Sequence, residues 1–319
     1  MTFPSVNRLT FGLDRIKTYP TFKKWRGSDV LFLILIVLLN IPVYHFQPFQ
    51  RQFYINDMTI AHPYADPQTV NDSALALYAF GIPFFTIIIL TLLFADPKHK
   101  IYLLYISLLG LTISVFLTGL ITDYLKNWIG RLRPDFLSRC MPKPGVPENR
   151  LVYAKDVCTT HNMDILIDGF RTTPSGHSSE SFSGLGYLYF WLCGQLLTEY
   201  TLTGTWRKVV ASIPLLGASL IALSRTQDYR HHFIDVIIGS ILGIVIAHWC
   251  YRRNFPSIHS KDPFKPLLDD SGVTLDNDLA IFNSKTGRSG TNSNGTTVTD
   301  NTNFQHVSID EESLPLTIT

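Results

Sequence analysis

Charged residues are scarce in this 319-residue chain, and neither sign of charge dominates it. Only 16% of the residues are Asp, Glu, Lys or Arg, against roughly 25% in soluble domains. The net charge of +2 argues against nucleic-acid binding, and four cysteines are too few for a disulfide-scaffolded secreted domain. Hydrophobic residues make up 46% of the chain, which excludes disorder for most of its length. Together these features predict an integral membrane protein.

Six apolar runs approach the length of about 20 residues that a helix needs to cross a bilayer. They predict an all-α fold, a six-span transmembrane helix bundle with both termini on one side. We expect no signal peptide before the first run, because the preceding segment is polar and basic. The runs cover residues 30–44, 75–94, 101–125, 182–197, 209–223 and 233–251.

Basic residues mark one side of this bundle. They lie before the first run, at 98–100, at 207–208 and at 252–253. All four places fall on the same side, which the positive-inside rule assigns to the cytosol. The opposite side holds residues 126–180, which are also rich in Lys and Arg, and this exception indicates that those cations have another role.

The chain is expected to divide into a cytosolic segment 1–29, a membrane domain 30–251 and a cytosolic tail 252–319. The tail is rich in Asn, Thr, Ser and Asp, so we expect it to be mostly disordered. Such a tail is a solvated spacer or, alternatively, a regulatory phospho-acceptor segment. Cys140 and Cys158 share the long non-cytosolic connection, where a disulfide and two free thiols both remain open.

The first polar cluster follows the third span. Lys126 and Arg133 are seven residues apart, so on a helix they are two turns apart and on the same face. Pro134 then prevents a regular helix from continuing. Long side chains on that face can converge on one anion. Taken alone, the pair is also explained by snorkelling to lipid headgroups.

The second cluster, Thr-Pro-Ser-Gly-His-Ser-Ser at 173–179, precedes the fourth span. Small residues at a helix start leave backbone N–H groups free to bind an anion. Gly176 permits close approach of the backbone to a ligand, and His177 can carry a proton near neutral pH. An ordinary N-cap beside a surface histidine explains the cluster equally well when it is taken alone.

The third cluster joins the fifth and sixth spans. His231 and Asp235 are four residues apart, which on a helix places them on one face. A carboxylate beside an imidazole fixes its tautomer, so the pair indicates a nucleophile with its orienting group. His232 would point away from this face and is interpreted as an interface residue.

The spacings in these clusters are Lys-x6-Arg-Pro at 126–134, Pro-Ser-Gly-His at 174–177 and Ser-Arg-x5-His-x3-Asp at 224–235. They resemble, complete and in order, the three motifs of the type 2 phosphatidic acid phosphatases, also called lipid phosphate phosphatases. That family shares its helical core with bacterial acid phosphatases and vanadium haloperoxidases. The resemblance extends roughly from residue 24 to residue 270.

The resemblance implies roles for individual residues. His231 would be the nucleophile that forms a phosphohistidine, Asp235 would hold its ring, and His177 would protonate the leaving oxygen and then activate water. It implies no metal and no cofactor, and the sequence has no HExxH pattern. Five further residues would bind the phosphoryl oxygens, with the two arginines able to bind two oxygens at once: Lys126, Arg133, Ser175, Gly176 and Arg225.

Flanking stretches at 51–57, 155–160 and 264–267 are similar to the diacylglycerol pyrophosphate phosphatases within this family. This similarity implies cleavage of diacylglycerol pyrophosphate to phosphatidate and of phosphatidate to diacylglycerol, with lysophosphatidate as a further substrate. Arg131 and Lys143 are available for the additional charge of a pyrophosphate or, alternatively, face anionic headgroups.

Several alternatives remain open because the motifs recognise the phosphate and not the rest of the molecule. The same core could act on sphingoid-base phosphates, polyprenyl diphosphates or a sugar phosphate. Two further alternative hypotheses are a non-catalytic lipid-binding membrane protein and a vanadate-dependent peroxidase. The resemblance implies a vacuolar membrane, with the Golgi as alternative, and an active site that faces the lumen. The oligomeric state is left open.

Overall fold

The structure is a computed structural model that describes residues 12–276 and Leu279. Within these residues the chain is helical, with two isolated β-bridges, Phe53 with Val152 and Pro142 with Cys158, and no strand. The helices are α1 (Tyr19–Lys24), α2 (Gly27–His45), α3 (Asp72–Ala76), α4 (Ile82–Phe94), α5 (Lys100–Ile129), α6 (Phe136–Cys140), α7 (Ala154–Val157), α8 (Met163–Asp168), α9 (Gly176–Gln195), α10 (Trp206–Gln227) and α11 (Phe233–Asn254).

The all-α prediction is confirmed, and the chain is a multi-pass membrane protein. Five helical segments of the described chain are long and apolar enough to cross a membrane: α2, the continuous stretch Asp72–Phe94 that joins α3 to α4, α5, α10 and α11. The expected span at residues 182–197 lies in α9, which is outside this set, so the predicted count of six exceeds the observed five by one. The reason is composition, because α9 is rich in Gly and Ser.

Helix α9 lies at the centre of the bundle, between α5, α10 and α11. Most of its residues are buried by these neighbours, so it needs little of the apolar surface that lipid contact demands. Trp191 of α9 is buried and donates from Nε1 to the Ser107 hydroxyl of α5 at 2.8 Å. With 20 residues, α9 is about 30 Å long, the thickness of a bilayer core.

Helices α9 and α11 approach each other closely because small residues face one another. A Cβ atom at Gly239 would lie 2.5 Å from the carbonyl oxygen of Ser175, and one at Gly243 would collide with the carbonyl oxygen of Ser179. On the other side of α9, the Ser183 hydroxyl lies 2.8 Å from the Ser114 hydroxyl of α5. Small residues and hydroxyl pairs are how helices pack without a hydrophobic driving force in lipid.

The connection between α5 and α9, residues 130–175, has its own small apolar core. Phe136 and Phe170 pack edge to face with ring centroids 4.8 Å apart, and Phe53 packs on Phe136 from the chain after α2. Cys140 and Cys158 form a disulfide across this connection. The alternative of two free thiols is therefore wrong.

The expected start of the tail at residue 252 differs from the structure, because α11 continues to Asn254 and the chain then packs back on the bundle. Phe255 is fully buried, and Asp269 lies 3.1 Å from Nδ1 of His99. The first compact unit ends at Thr274. The expectation of a disordered tail concerns mainly residues 277–319, which apart from Leu279 lie outside the described residues, as do residues 1–11.

The α9–α11 contact generates a stability prediction. Gly243→Ala should lower stability by about 1–3 kcal/mol, because its Cβ has no room beside the Ser179 carbonyl and the helices must separate. Gly119→Ala is the matched control, since the nearest atom to its Cβ would be 3.8 Å away. The measurement is the thermal unfolding midpoint in detergent micelles. Equal midpoints for the two variants would contradict this account of the packing.

Candidate active site

Lys126 lies in the last turn of α5, and the helix ends three residues later at Ile129. Gly130 ends it with a positive φ of 58°, and a Cβ at this position would collide with the Phe49 carbonyl oxygen. Arg133 therefore lies beyond the helix, and the prediction that Lys126 and Arg133 share a helical face is wrong. The two side chains are brought together by the fold of the connection instead.

Lys126 approaches the start of α9. Its Nζ lies 2.7 Å from the position that a Cβ of Gly176 would occupy, so only glycine allows this contact. Ser175 is buried as the N-cap residue, and its hydroxyl accepts hydrogen bonds from the amide (3.4 Å) and the hydroxyl (2.9 Å) of Ser178. Its hydroxyl is thus used for capping, while the N–H groups of Gly176 and His177, in the first turn, have no helical partner and can bind an anion.

The segment before α9 joins the three motifs through its backbone. The Thr172 amide donates to the Arg131 carbonyl at 3.3 Å, and the Ser175 amide donates to the Asp235 carbonyl at 3.0 Å. The His231 amide donates to the carbonyl of Arg225 at 3.3 Å. These bonds bring the end of α5, the start of α9, the end of α10 and the start of α11 to one place.

His231 is buried, and its hydrogen bonding fixes its tautomer. Its Nδ1 lies 2.7 Å from the backbone carbonyl of Thr172, which can only accept, so Nδ1 carries the proton and Nε2 carries the lone pair. Burial lowers the pKa of His231 well below its usual value, and the charges of Arg133 and Lys126 lower it further. The ring is therefore neutral at neutral pH, as a nucleophile requires.

Asp235 does not hold the His231 ring directly, contrary to the expectation from their spacing. His231 precedes α11, which begins at Phe233, so the two residues are not on one helical face. Asp235 is fully buried and accepts from Thr172 Oγ1 (2.9 Å), and Thr172 Oγ1 lies 3.1 Å from His231 Nδ1. The carboxylate thus acts on His231 through Thr172. It also accepts from Thr173 Oγ1, Arg131 Nη1 and the amide and ring of His232.

His177, in the first turn of α9, is held by the chain before α3. Its Nε2 lies 3.0 Å from the Val70 carbonyl oxygen, so Nε2 carries a proton and Nδ1 is the other exchangeable position. Arg225, Lys126 and Arg133 all lie near enough for their charges to act on the ring. The structure therefore brings both histidines and the three cations into one site.

Arg133 is supported by an ionic network in which the two arginines are buried and Asp168 is partly exposed. Its Nη2 donates to Asp168 at 2.7 Å, and Asp168 also accepts from Arg139 at 2.9 Å. Burial lowers the Arg133 pKa to about 10, which still leaves it charged at neutral pH. Burial alone would raise the pKa of Asp168, but Arg133 and Arg139 hold it below its ordinary value. The Nε of Arg133 is buried without a partner among the described residues, so it remains available to an anion.

Arg225 is buried with most of its donors occupied. Its Nε and Nη2 donate to the Ser224 hydroxyl, Nη2 also donates to Asp228 at 2.8 Å, and Nη1 donates to Gln68 at 3.0 Å. A guanidinium has five N–H groups, so one of the Nη1 hydrogens is left. The expectation that Arg225 binds two phosphoryl oxygens does not fit this arrangement. One hydrogen bond to a phosphoryl oxygen, together with the positive charge, does fit it.

Several supporting residues escaped the sequence reasoning. Thr172, Asp168 and Arg139 have no place in the motifs, and the only signal for them was the excess of basic residues in the α5–α9 connection. Arg131 pairs with Asp235 at 2.9 Å. Lys143 donates to the Asp156 carbonyl at 2.8 Å and lines a separate surface cavity with Arg150.

The contact between Lys126 and Gly176 generates a prediction for anion binding. Gly176→Ala should fold, because only the mobile end of a lysine side chain must move, but the displaced ammonium should weaken phosphate binding about tenfold or more. The readout is the rise in thermal midpoint with increasing inorganic phosphate. Gly119→Ala should respond to phosphate as the unmodified protein does. An unchanged phosphate response in Gly176→Ala would remove Lys126 from the site.

Comparison with known proteins agrees with this geometry. The family described as "PAP2 superfamily" matches residues 107–259, a range that contains all three motifs. The chain is 61% identical over 272 residues to "Diacylglycerol pyrophosphate phosphatase 1" of Saccharomyces cerevisiae, covering 85% of this chain and 93% of that protein.

Plant proteins are similar over much of the chain as well. The identity is 34% to "Lipid phosphate phosphatase 2" of Arabidopsis thaliana, over 77% of this chain and 83% of that protein. The identity to "Lipid phosphate phosphatase 1" of the same plant is 32%, over 75% of this chain and 71% of that protein. No solved structure matches the chain at a comparable level of significance. With its motifs joined in one buried site and these relatives matched over most of their length, the chain belongs to the PAP2 superfamily.

Proposed function

We propose that this protein is a lipid phosphatase that removes the terminal phosphate of diacylglycerol pyrophosphate and then dephosphorylates phosphatidate to diacylglycerol. The observation that carries the reaction type is the buried His231, whose Nδ1–H is held by the Thr172 carbonyl while Nε2 is free to attack phosphorus. The substrate rests on the identity of 61% to a protein of that name. Lysophosphatidate is proposed as a further substrate.

In the first step, His231 Nε2 forms a bond to phosphorus as the bond to the leaving oxygen breaks. Positive charge then develops on the imidazole, where the Thr172 carbonyl at Nδ1 and, through the Thr172 hydroxyl, Asp235 stabilise it. His177 gives a proton to the leaving oxygen, which for a pyrophosphate is the bridging oxygen. Since Val70 holds the Nε2 proton of His177, the proton that moves is the second one, which the imidazolium form carries on Nδ1, and His177 is left neutral.

In the second step, His177 takes a proton from water, and that water attacks the phosphohistidine. The P–N bond breaks, and inorganic phosphate leaves with His231 neutral again. Negative charge on the equatorial oxygens in both steps is stabilised by Lys126, Arg133, Arg225 and the N–H groups at the start of α9. This chemistry uses only side chains and backbone of the chain itself.

We propose a six-span topology in which α9 is the fourth span, both termini are in the cytosol and the site faces the lumen. The basic residues at the helix ends opposite the site support this orientation. The Cys140–Cys158 disulfide supports an oxidising compartment for the α5–α9 connection. A vacuolar membrane is proposed on resemblance, with the Golgi as the alternative.

The proposed function is tested by phosphate release from purified protein in micelles with EDTA present. Diacylglycerol pyrophosphate, phosphatidate, a sphingoid-base phosphate and a polyprenyl diphosphate are compared side by side. We expect the first to be hydrolysed fastest and His231→Ala to be inactive but folded. Faster turnover of another lipid would overturn the substrate assignment, and turnover by His231→Ala would overturn the mechanism. Inactivity of folded protein on all four would favour a non-catalytic role.

Arg133 generates a second prediction. Arg133→Lys should lower kcat/KM about 100-fold or more, because a single ammonium nitrogen cannot occupy both the Nη2 position at Asp168 and the position of Nε, which has no partner among the described residues. Arg150→Lys, an exposed arginine in the same connection, is the matched control and should be near normal. The comparison is made with phosphatidate at saturating and limiting concentrations. A near-normal Arg133→Lys would contradict its place at the phosphate.

A further inference from the structure

An apolar groove of about 600 Å³ lies between the Asp72–Phe94 segment, α9 and α10. Its volume is within the roughly 300–1,000 Å³ that small-molecule sites occupy. Several lining residues are largely exposed, with Leu220 at 62% and Ile213 at 59%, so the groove opens on the side of the bundle that lipid covers. None of its lining residues is charged.

The groove runs along one face of α10. Its lining includes Val210, Pro214, Gly217, Ile221 and Ser224, spaced by three or four residues, and it continues to Gln227. From Val210 to Gln227 this face is about 26 Å long, at 1.5 Å per residue. That length exceeds one leaflet of a bilayer core, which is half of about 30 Å. The groove is therefore long enough to hold an extended hydrocarbon chain.

One end of the groove is built by residues that contact the active site. Val70 lines it and accepts the hydrogen bond from His177 at 3.0 Å. Ser224 lines it and accepts from Arg225 at 2.9 Å, while Thr69 donates to Asp228, the carboxylate that pairs with Arg225. The polar residues Thr69, Ser224 and Gln227 cluster at this end, and the lining beyond is mainly aliphatic. The change from polar to apolar matches a headgroup followed by an acyl chain.

We propose that this groove binds one acyl chain of the lipid substrate while its phosphate lies between Lys126, Arg133 and His231. The inference rests on the proposed lipid phosphatase function and adds to it a site for the tail. A chain in the groove orients the phosphate toward Nε2 of His231 and stabilises long-chain over short-chain substrates. Binding of that chain adds nothing to hydrolysis of a phosphate that has no tail.

Gly217 offers a direct way to fill the groove. A Cβ at this position would lie 3.6 Å from Leu185 Cδ1, an ordinary contact, so a side chain can be added without moving the backbone. Gly217→Phe would project a ring into the space proposed for the acyl chain. Leu216→Phe is the matched control, because Leu216 is 62% exposed on α10 and does not line the groove.

The experiment measures kcat/KM in detergent micelles for dioleoyl phosphatidate, dihexanoyl phosphatidate and p-nitrophenyl phosphate. In Gly217→Phe we expect a fall of about tenfold or more for the dioleoyl lipid, the loss expected when two or more methylenes are kept out of an apolar site. The other two substrates should change less than about threefold, which corresponds to less than one methylene. Leu216→Phe should leave all three unchanged.

Two results would overturn the groove assignment: an unchanged dioleoyl value, or equal losses on all three substrates from folded protein. If Gly217→Phe does not fold, Ile213→Trp tests the same space, since it enlarges a side chain that is already exposed at the groove. Failure of the proposed function is distinguishable, because the unmodified protein would then hydrolyse neither lipid.

Discussion

The close packing of α9 on α11 is the constraint on which the site depends. Gly239 and Gly243 lie against the backbone of Ser175 and Ser179, so the starts of the two helices are adjacent. The Ser175 amide can then donate to the Asp235 carbonyl at 3.0 Å, and this bond fixes the N-terminus of α9, the proposed phosphate site, beside the turn that carries His231. A wider helix pair would separate the proposed nucleophile from these N–H groups.

The second constraint is the concentration of buried positive charge around Arg133. Removing a guanidinium from water is costly unless carboxylates compensate it, and here Asp168 and Asp135 do so through Arg139. The arrangement leaves Arg133 charged, held in place and with its buried Nε unpartnered among the described residues. Burial lowers the pKa of His231, and the charges of Arg133 and Lys126 lower it further, which keeps this ring neutral. In the proposed mechanism the same cations bind the phosphate and keep the attacking residue neutral.

The sequence allowed the helical membrane fold to be predicted, since hydrophobic runs are local signals. The motif spacings, also local, singled out two histidines and three cations that the structure places near one another. Prediction from the sequence failed where a helix was assumed to continue. Gly130 ends α5 before Arg133, and α11 begins after His231, so both same-face arguments were wrong. Thr172 could not be found at all, because its role depends on a backbone carbonyl positioned by contacts between distant segments. The low hydropathy of α9 also depends on contacts between distant segments, because α5, α10 and α11 surround this helix where lipid would otherwise contact it.

The indirect link between Asp235 and His231 has a chemical consequence. A carboxylate in direct contact favours the charged imidazole and raises its pKa, whereas a carbonyl fixes the same tautomer without a full charge. With Thr172 at Nδ1, His231 can therefore be oriented and remain neutral among three cations before phosphate arrives. In the proposed mechanism, a bound dianionic phosphate would offset the positive charge around the ring, and the imidazolium that forms on attack would then be stabilised. On that proposal, charge on His231 is favoured only when substrate is present.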